Sequence, residues 1–292
     1  MAAARSNALG TARMADGTTL RTIHWEPASE PWATAELVHG LGEHGGRYET
    51  VAAALTGAGI DTWAYDHRGN GASGGRRGHV EDWTVLHDDL ETRLVALHEA
   101  QPRRPVILYG HSLGGLVSCG YVLSGRDRLL PAALVLSSPA LGDNLPGWQH
   151  TAVPMAARVV PKLKLAHNLP ADGLSRDDSV GERAAADPLC GKSSTLRFIA
   201  GAFGEQDRLR EVLAGRTAMP MPTYVLHGTS DAIVPASASA VLERMSNVTR
   251  VVHEGLRHET HHEPEHEAVL AGVVDWLRMT LPGSAEVEAA GV

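Results

Sequence analysis

The sequence holds only two cysteines, Cys119 and Cys190, in 292 residues. A disulfide scaffold needs more, so both are expected to be reduced structural thiols of a cytoplasmic protein. Lysine is nearly missing as well: Lys162, Lys164 and Lys192 are the only lysines among 26 basic residues. The accompanying bias toward Arg, Ala and Gly is an association with GC-rich bacterial coding sequence. Acidic residues outnumber basic ones, 34 against 26, for a formal net charge of −8. That balance repels phosphate backbones and argues against a nucleic-acid partner. No stretch reaches the roughly 18 uninterrupted apolar residues of a membrane span. No signal peptide is expected from Met1 to Gly17, which has no apolar run to serve as one.

What is present is ordinary globular material, 43% apolar and 21% charged. Short runs rich in Val, Ile and Leu alternate with longer amphipathic stretches, the pattern of βα units on a mostly parallel sheet. Asp16-Gly17 ahead of Leu20 to Trp25 reads as a hairpin turn. Strands are expected at Ala35–Val38, Ile60–Tyr65, Val106–Tyr109, Ala133–Leu136, Thr223–Leu226 and Arg250–His253. Helices are expected at Tyr48–Leu55, Asp82–Glu99, Leu113–Leu123, Ala236–Arg244 and Pro264–Leu281. Trp83, Leu86, Leu90, Leu94 and Leu97 form the apolar stripe of the second helix. The alternation breaks between Leu141 and Met221, a stretch richer in proline and without clear strands. We therefore expect a core at 1–140 and 222–281, an insertion at 141–221 over the C-terminal edge of the sheet, and a loose tail at 282–292.

Gly110-His111-Ser112-Leu113-Gly114 carries G-x-S-x-G between an expected strand and an expected helix. That context marks a nucleophile elbow: the turn holds Ser112 exposed, the glycines let strand and helix pass closely, and the Leu113 N–H faces a developing oxyanion. The plain alternative is a glycine-rich turn with a solvated serine. A serine hydroxyl needs a base, and the base needs an orienting carboxylate. In the α/β-hydrolase fold these follow in the order Ser, Asp or Glu, His. Asp231 closes the turn after Tyr224–Leu226, where it could instead cap a helix. His258 ends the loop after Val251-Val252-His253. Its rivals are His253, His261, His262 and His266, less well placed against that order. Gly40-Leu41-Gly42 follows the strand ending at Val38 and offers Leu41 N–H as the second oxyanion donor.

His258-Glu259-Thr260-His261-His262 also matches the zinc-protease signature H-E-x-x-H, which requires a helix with both histidines on one side. Gly255 before it and Pro264 after it leave little room for one, so no metal is expected.

The stretches His39-Gly40-Leu41-Gly42-Glu43-His44 with Arg47-Tyr48, Asp66-His67-Arg68-Gly69 to Ser73, Arg77 to Val80 and Gly110 to Gly115 resemble the monoacylglycerol lipase group of the α/β-hydrolase superfamily, akin to the S33 serine aminopeptidases and lysophospholipases. Asp187-Pro188-Leu189, His227-Gly228-Thr229 and Gly255-Leu256 fit the same pattern, so the likeness spans roughly Asp16 to Leu281. It implies a helical cap over the site, no metal or organic cofactor, and hydrolysis of monoacylglycerols or related lipid esters. It carries over Ser112, Asp231, His258 and the Leu41 and Leu113 amides. Asn70, Ala72 and His262 depart from the family pattern and bear on substrate preference. Glu43, His44, Arg68 and His79 are expected to brace loops.

Within the insertion, Trp148, Ala152, Met155 and Val159 share one helical face, with Pro154 expected to bend or end part of it. With Arg158, Lys162 and Lys164 nearby, Trp148, Met155 and Val159 are candidates for a lid that meets lipid; the alternative is an ordinary packed face. Lysophospholipase or general carboxylesterase activity is the near alternative. A non-catalytic binding protein of the same fold, or a zinc hydrolase, is the distant one.

Overall fold

The computed structural model describes residues 8–167 and 170–281; the tail expected at 282–292 lies outside them. Strands β1 (Ala8–Arg13) and β2 (Thr19–Trp25) pair antiparallel across Asp16-Gly17, with Gly17 at φ 84° as the turn demands. Next come β3 (Ala33–Val38), α1 (Glu49–Gly57), β4 (Ile60–Tyr65), α2 (Thr84–Ala100), β5 (Val106–His111), α3 (Leu113–Val122) and β6 (Ala133–Ser137). The stretch that follows holds α4 (Gly147–Val159), β7 (Lys164–Ala166), α5 (Asp178–Ala186), β8 (Ser193–Thr195) and α6 (Leu196–Ala214). The chain returns through β9 (Thr223–Gly228), α7 (Ala240–Glu243), β10 (Val248–His253) and α8 (His266–Thr280).

Eight of these strands form one sheet in the order β1-β2-β4-β3-β5-β6-β9-β10. Within it, only the β1–β2 and β2–β4 pairs are antiparallel; the rest run parallel. This is the α/β-hydrolase fold. From β3 the chain steps outward to β4, then crosses back to β5 on the other side. The loops after β3 and β5 therefore leave adjacent strand ends in opposite directions and open a crevice between them.

Both faces of the sheet are covered, so its central strands are buried throughout rather than alternating with solvent. Val106 and Leu108 of β5 pack with Leu90 and Leu94 of α2 and Leu116 of α3, while Ile107 and Tyr109 point the other way toward Leu55 of α1 and Val273 of α8. All five residues of the expected α2 stripe are buried.

Three expectations need correction. The 141–221 stretch does contain strands: β7 and β8 pair antiparallel from Lys164↔Thr195 to Ala166↔Ser193. Three residues each is too short for a period-two pattern to register. Ala236–Arg244 is a 3-10 turn over Ala236–Ser239 followed by the short α7. The last helix begins at His266, so Pro264 precedes it.

Candidate active site

Ser112 stands between β5 and α3 at φ 51°, ψ −116°, a conformation that costs a non-glycine residue roughly 1–3 kcal/mol. Its neighbours enforce it. The Ser112 N–H donates to Ser137 O at 2.9 Å, and its carbonyl accepts from Leu116 N–H and Ala140 N–H, both at 3.0 Å. A Cβ on Gly114 would sit 2.0 Å from Val38 O, and one on Gly110 would sit 2.5 Å from Ser118 Oγ. Strand and helix can cross at this spacing only with glycine at both positions.

Asp231 lies in the turn after β9. Its Oδ1 accepts from the N–H groups of Ile233 and Val234, each at 2.9 Å. Its Oδ2 accepts from His258 Nδ1 at 2.7 Å and lies 3.2 Å from His227 Nε2. Burial works against a charge here, but the hydrogen bonds from His227, His258 and Val234 outweigh it and hold the carboxyl well below its ordinary range. With an ionised carboxylate at Nδ1, that nitrogen carries the His258 proton and Nε2 is left with a lone pair that can accept one.

Ser112 and His258 line one cavity. Among the described residues no hydrogen bond joins the Ser112 hydroxyl to the His258 ring; such contacts often tighten only when substrate is bound. His111, next to the serine, has its ring centroid 4.8 Å from that of His258. Burial first, then the neighbouring His258, pushes the His111 pKa down to about 4, so it adds no second cation at neutral pH.

The two residues expected from the sequence to supply amide donors border the same space. Leu41 and Leu113 both line the cavity. Leu113 is the first residue of α3, so its N–H has no partner within the helix. The Gly40 N–H is taken by Glu43 Oε1 at 2.6 Å, leaving the Leu41 N–H as the next amide in the loop.

Glu43 also accepts from Tyr48 OH at 2.7 Å and from Arg47 Nη1 at 2.5 Å. Arg47 turns its other edge to Glu259, with bonds of 2.9 and 2.8 Å. One guanidinium thus ties the loop carrying Leu41 to the loop carrying His258. His262 continues the chain, placing Nδ1 2.7 Å from Glu259 Oε2 and Nε2 3.1 Å from Arg47 O. The other expected braces hold too: His44 Nε2 lies 2.8 Å from Asp187 Oδ2, Arg68 grips Asp89 with two 2.6 Å bonds, and His79 Nδ1 lies 2.8 Å from Thr195 Oγ1.

The rival histidines lie elsewhere. His261 stacks on Tyr48 at 5.2 Å, and His266 Nδ1 lies 2.8 Å from Glu263 O. The H-E-x-x-H stretch forms a 3-10 turn over Thr260–His262, not a helix, and its two outer histidines turn to different partners, Asp231 and Glu259. Among the described residues, two trios have donor atoms close enough for a metal, Glu259/His261/His262 and His44/Asp187/Cys190. In the first, Glu259 and His262 are already engaged with Arg47. In the second, His44 Nδ1 accepts from Gly46 N–H at 3.1 Å, so Nε2 holds the proton that faces Asp187. Four of the six side chains thus already serve as hydrogen-bonded braces, while both ring nitrogens of His261 are buried without a hydrogen bond among the described residues.

The cavity measures about 640 Å³, within the range of small-molecule sites. The 141–221 stretch supplies Leu145, Leu174, Phe198, Ala202 and Phe203 to its wall. Trp148, Met155 and Val159 are not part of that wall; they are 67%, 61% and 81% exposed. Helix α4 runs through Pro154 and buries Val153 and Ala157 instead, against Leu196 and Phe203 of α6.

The roles of two contributors are missed in the sequence, although His227-Gly228-Thr229 matches the family pattern. His227 shares Asp231 and is itself fixed by Ser239 Oγ and Val234 O, at 3.0 and 2.9 Å. Ser138 takes φ 42° and donates its hydroxyl to His258 O at 2.8 Å, anchoring that loop.

The family model for serine aminopeptidase, S33, matches residues 29–265 of the chain. A monoacylglycerol lipase of Mycolicibacterium smegmatis is 35% identical over 259 residues, covering 87% of this chain and 90% of that protein. The monoglyceride lipase of Homo sapiens is 30% identical over 262 residues, covering 85% and 82%. The crystal structure of Paleococcus ferrophilus monoacylglycerol lipase aligns with a TM-score of 0.75 at 28% identity, covering 92% of this chain and 98% of that one.

Proposed function

The chain belongs to the serine aminopeptidase S33 family of α/β hydrolases, and from that membership we propose that it hydrolyses monoacylglycerols to glycerol and fatty acid. It is an ester-hydrolysing serine hydrolase, similar over most of its length to monoacylglycerol lipases. In this reading Ser112 Oγ attacks the ester carbonyl while His258 Nε2 takes its proton. Asp231 keeps the imidazole in the required tautomer and stabilises its charged form. The Leu41 and Leu113 amides stabilise the tetrahedral oxyanion, each such donor being worth roughly 3 kcal/mol. Glycerol leaves with the proton from His258, and a water activated by the same ring then releases the fatty acid.

The observation that carries this reading is the opening of the strained Ser112 turn and the Asp231-bound His258 onto one largely apolar cavity. The α4–α6 stretch acts as a cap on that cavity. Its outer face, with Trp148, Met155, Val159, Val160 and Leu163 exposed beside Arg158, Lys162 and Lys164, would touch the lipid surface where the substrate resides. No helix of the described residues is long and apolar enough to cross a membrane.

The test is a substrate panel of p-nitrophenyl esters, monoacyl-, diacyl- and lysophospho-lipids, with fluorophosphonate labelling alongside. Monoacylglycerols should be the best lipid substrates, and Ser112→Ala should abolish labelling and cut turnover at least about a thousandfold. Turnover of only diacyl or triacyl lipids would overturn the monoacyl assignment.

A further inference from the structure

We propose that the outer face of the cap docks on an anionic lipid surface, and that negatively charged headgroups, rather than apolar contact alone, hold the enzyme at its substrate. The proposal deepens the reading of that face as the one that touches lipid, and rests on it.

The charge distribution along the chain is uneven. Acidic residues outnumber basic ones over the whole sequence, yet no Asp or Glu occurs from Asn144 to Ala171, a stretch that holds Arg158, Lys162 and Lys164. All three lysines of the chain lie between positions 162 and 192. Arg158, Lys162, Lys164 and Lys192 are exposed. Among the described residues Lys162 has an acidic neighbour, Glu81 Oε1 at 3.9 Å, but both side chains are more than half exposed and water screens the pair.

The cations stand among the exposed apolar residues. Helix α4 buries Val153 and Ala157, which turns Trp148, Met155 and Val159 outward and leaves Arg158 at the flank of that stripe. From Val160 the chain runs on through Lys162, Leu163, Lys164 and Leu165, all exposed. Leu163 N–H donates to Val160 O at 3.1 Å, and Leu163 O accepts from Leu196 N–H at 2.8 Å, so this segment is fastened to the start of α6. Ala166, the last residue of β7, and Lys192 line the catalytic cavity. The patch is therefore continuous with the cavity wall.

Apolar tips bordered by Lys and Arg are suited to the boundary between headgroups and acyl chains, where the apolar groups enter and the cations meet phosphates. A zwitterionic bilayer offers those cations no net field. An anionic one does, and each Lys or Arg near its surface is worth about fivefold in partitioning. The acidic remainder of the chain is repelled by the same surface, which turns the cap toward it. Docked this way, the wall formed by Ala166 and Lys192 adjoins the lipid that a monoacylglycerol would leave.

The test is cosedimentation of the full chain with vesicles of phosphatidylcholine alone, or of phosphatidylcholine and phosphatidylglycerol mixed two to one, at physiological ionic strength. The partition coefficient should be at least about tenfold higher on the mixed vesicles and should fall toward the phosphatidylcholine value as salt is raised. The double variant Arg158→Glu/Lys164→Glu should lose at least about tenfold on mixed vesicles, and Lys164→Gln alone about fivefold, with melting temperatures as the control for folding. Trp148→Ala should weaken binding to both vesicle types. Equal partitioning on the two compositions, no binding to either, or charge variants that bind mixed vesicles as well as the unaltered chain overturns the proposal. A concentration-dependent dimer abolished by Trp148→Asp, without vesicle binding, would assign the face to a second copy of the chain and overturn it too. Cosedimentation reads binding without turnover, so a failure to hydrolyse monoacylglycerols would count against the proposed substrate and leave the docking face standing.

Discussion

Replacing Asp231 with asparagine gives the sharpest check on the active-site reading, because its effect follows from four contacts. The backbone N–H groups of Ile233 and Val234 both point at Oδ1, so the amide oxygen in the Asp231→Asn variant must occupy that position. The amide NH₂ then replaces Oδ2, 2.7 Å from His258 Nδ1 and 3.2 Å from His227 Nε2. Two donors cannot face each other there, so the His258 ring shifts its proton to Nε2 and Nδ1 becomes the acceptor. The nitrogen that should take the serine proton is then already protonated. Loss of the correct tautomer in a serine triad costs on the order of 10⁴ in kcat, about 5.5 kcal/mol of transition-state stabilisation. The fold should survive, since the side-chain shape and both backbone hydrogen bonds are kept. The assay is steady-state hydrolysis of a p-nitrophenyl ester near neutral pH, with thermal melting as the control for folding. A folded variant that lost less than about tenfold in kcat would refute Asp231 as the orienting carboxylate.

Three further outcomes follow from the same geometry. Gly114→Ala places a Cβ 2.0 Å from Val38 O, a clash between backbone-fixed atoms, and should destabilise by at least about 3 kcal/mol in denaturant unfolding or prevent folding. Arg47→Met leaves Glu43 and Glu259, both 5% exposed or less, without their shared counterion; a loss of about 3–5 kcal/mol in stability and a fall in kcat are expected, and an unchanged melting temperature would show that the bridge is dispensable. Burial holds His87 and His111 neutral with pKa values pushed down to about 4, against 6.5 for a free imidazole. The unfolded chain therefore takes up protons first, so these histidines leave stability untouched above about pH 6.5 and lower it progressively toward pH 4, by roughly 3 kcal/mol each at most. Asp231, whose folded pKa is depressed, adds its own loss only below its ordinary value of 3.8. Melting temperatures recorded across this range should fall steadily with acid, and a flat profile would contradict the neutral burial of the two histidines.

What the sequence determined by itself was local or ordered along the chain. Gly110-His111-Ser112-Leu113-Gly114 specifies its turn because only glycines allow so close a crossing, and Asp16-Gly17 specifies its hairpin through one positive φ. The succession of Ser112, Asp231 and His258 at strand ends was legible because each follows a recognisable apolar run. Tertiary structure decided the rest. Arg47 reaches both Glu43 and Glu259, a link across the chain that no short-range pattern encodes. His227 lies within a strand and becomes a partner of Asp231 only because the turn after β9 folds back over it, and Ser138 meets His258 O only where two loops converge. Helical periodicity marked Trp148, Met155 and Val159 as one face of α4 but could not say what would cover it. Packing against α6 took Val153 and Ala157 instead, because burial depends on where the neighbouring helix lies, and that position is set by the whole fold.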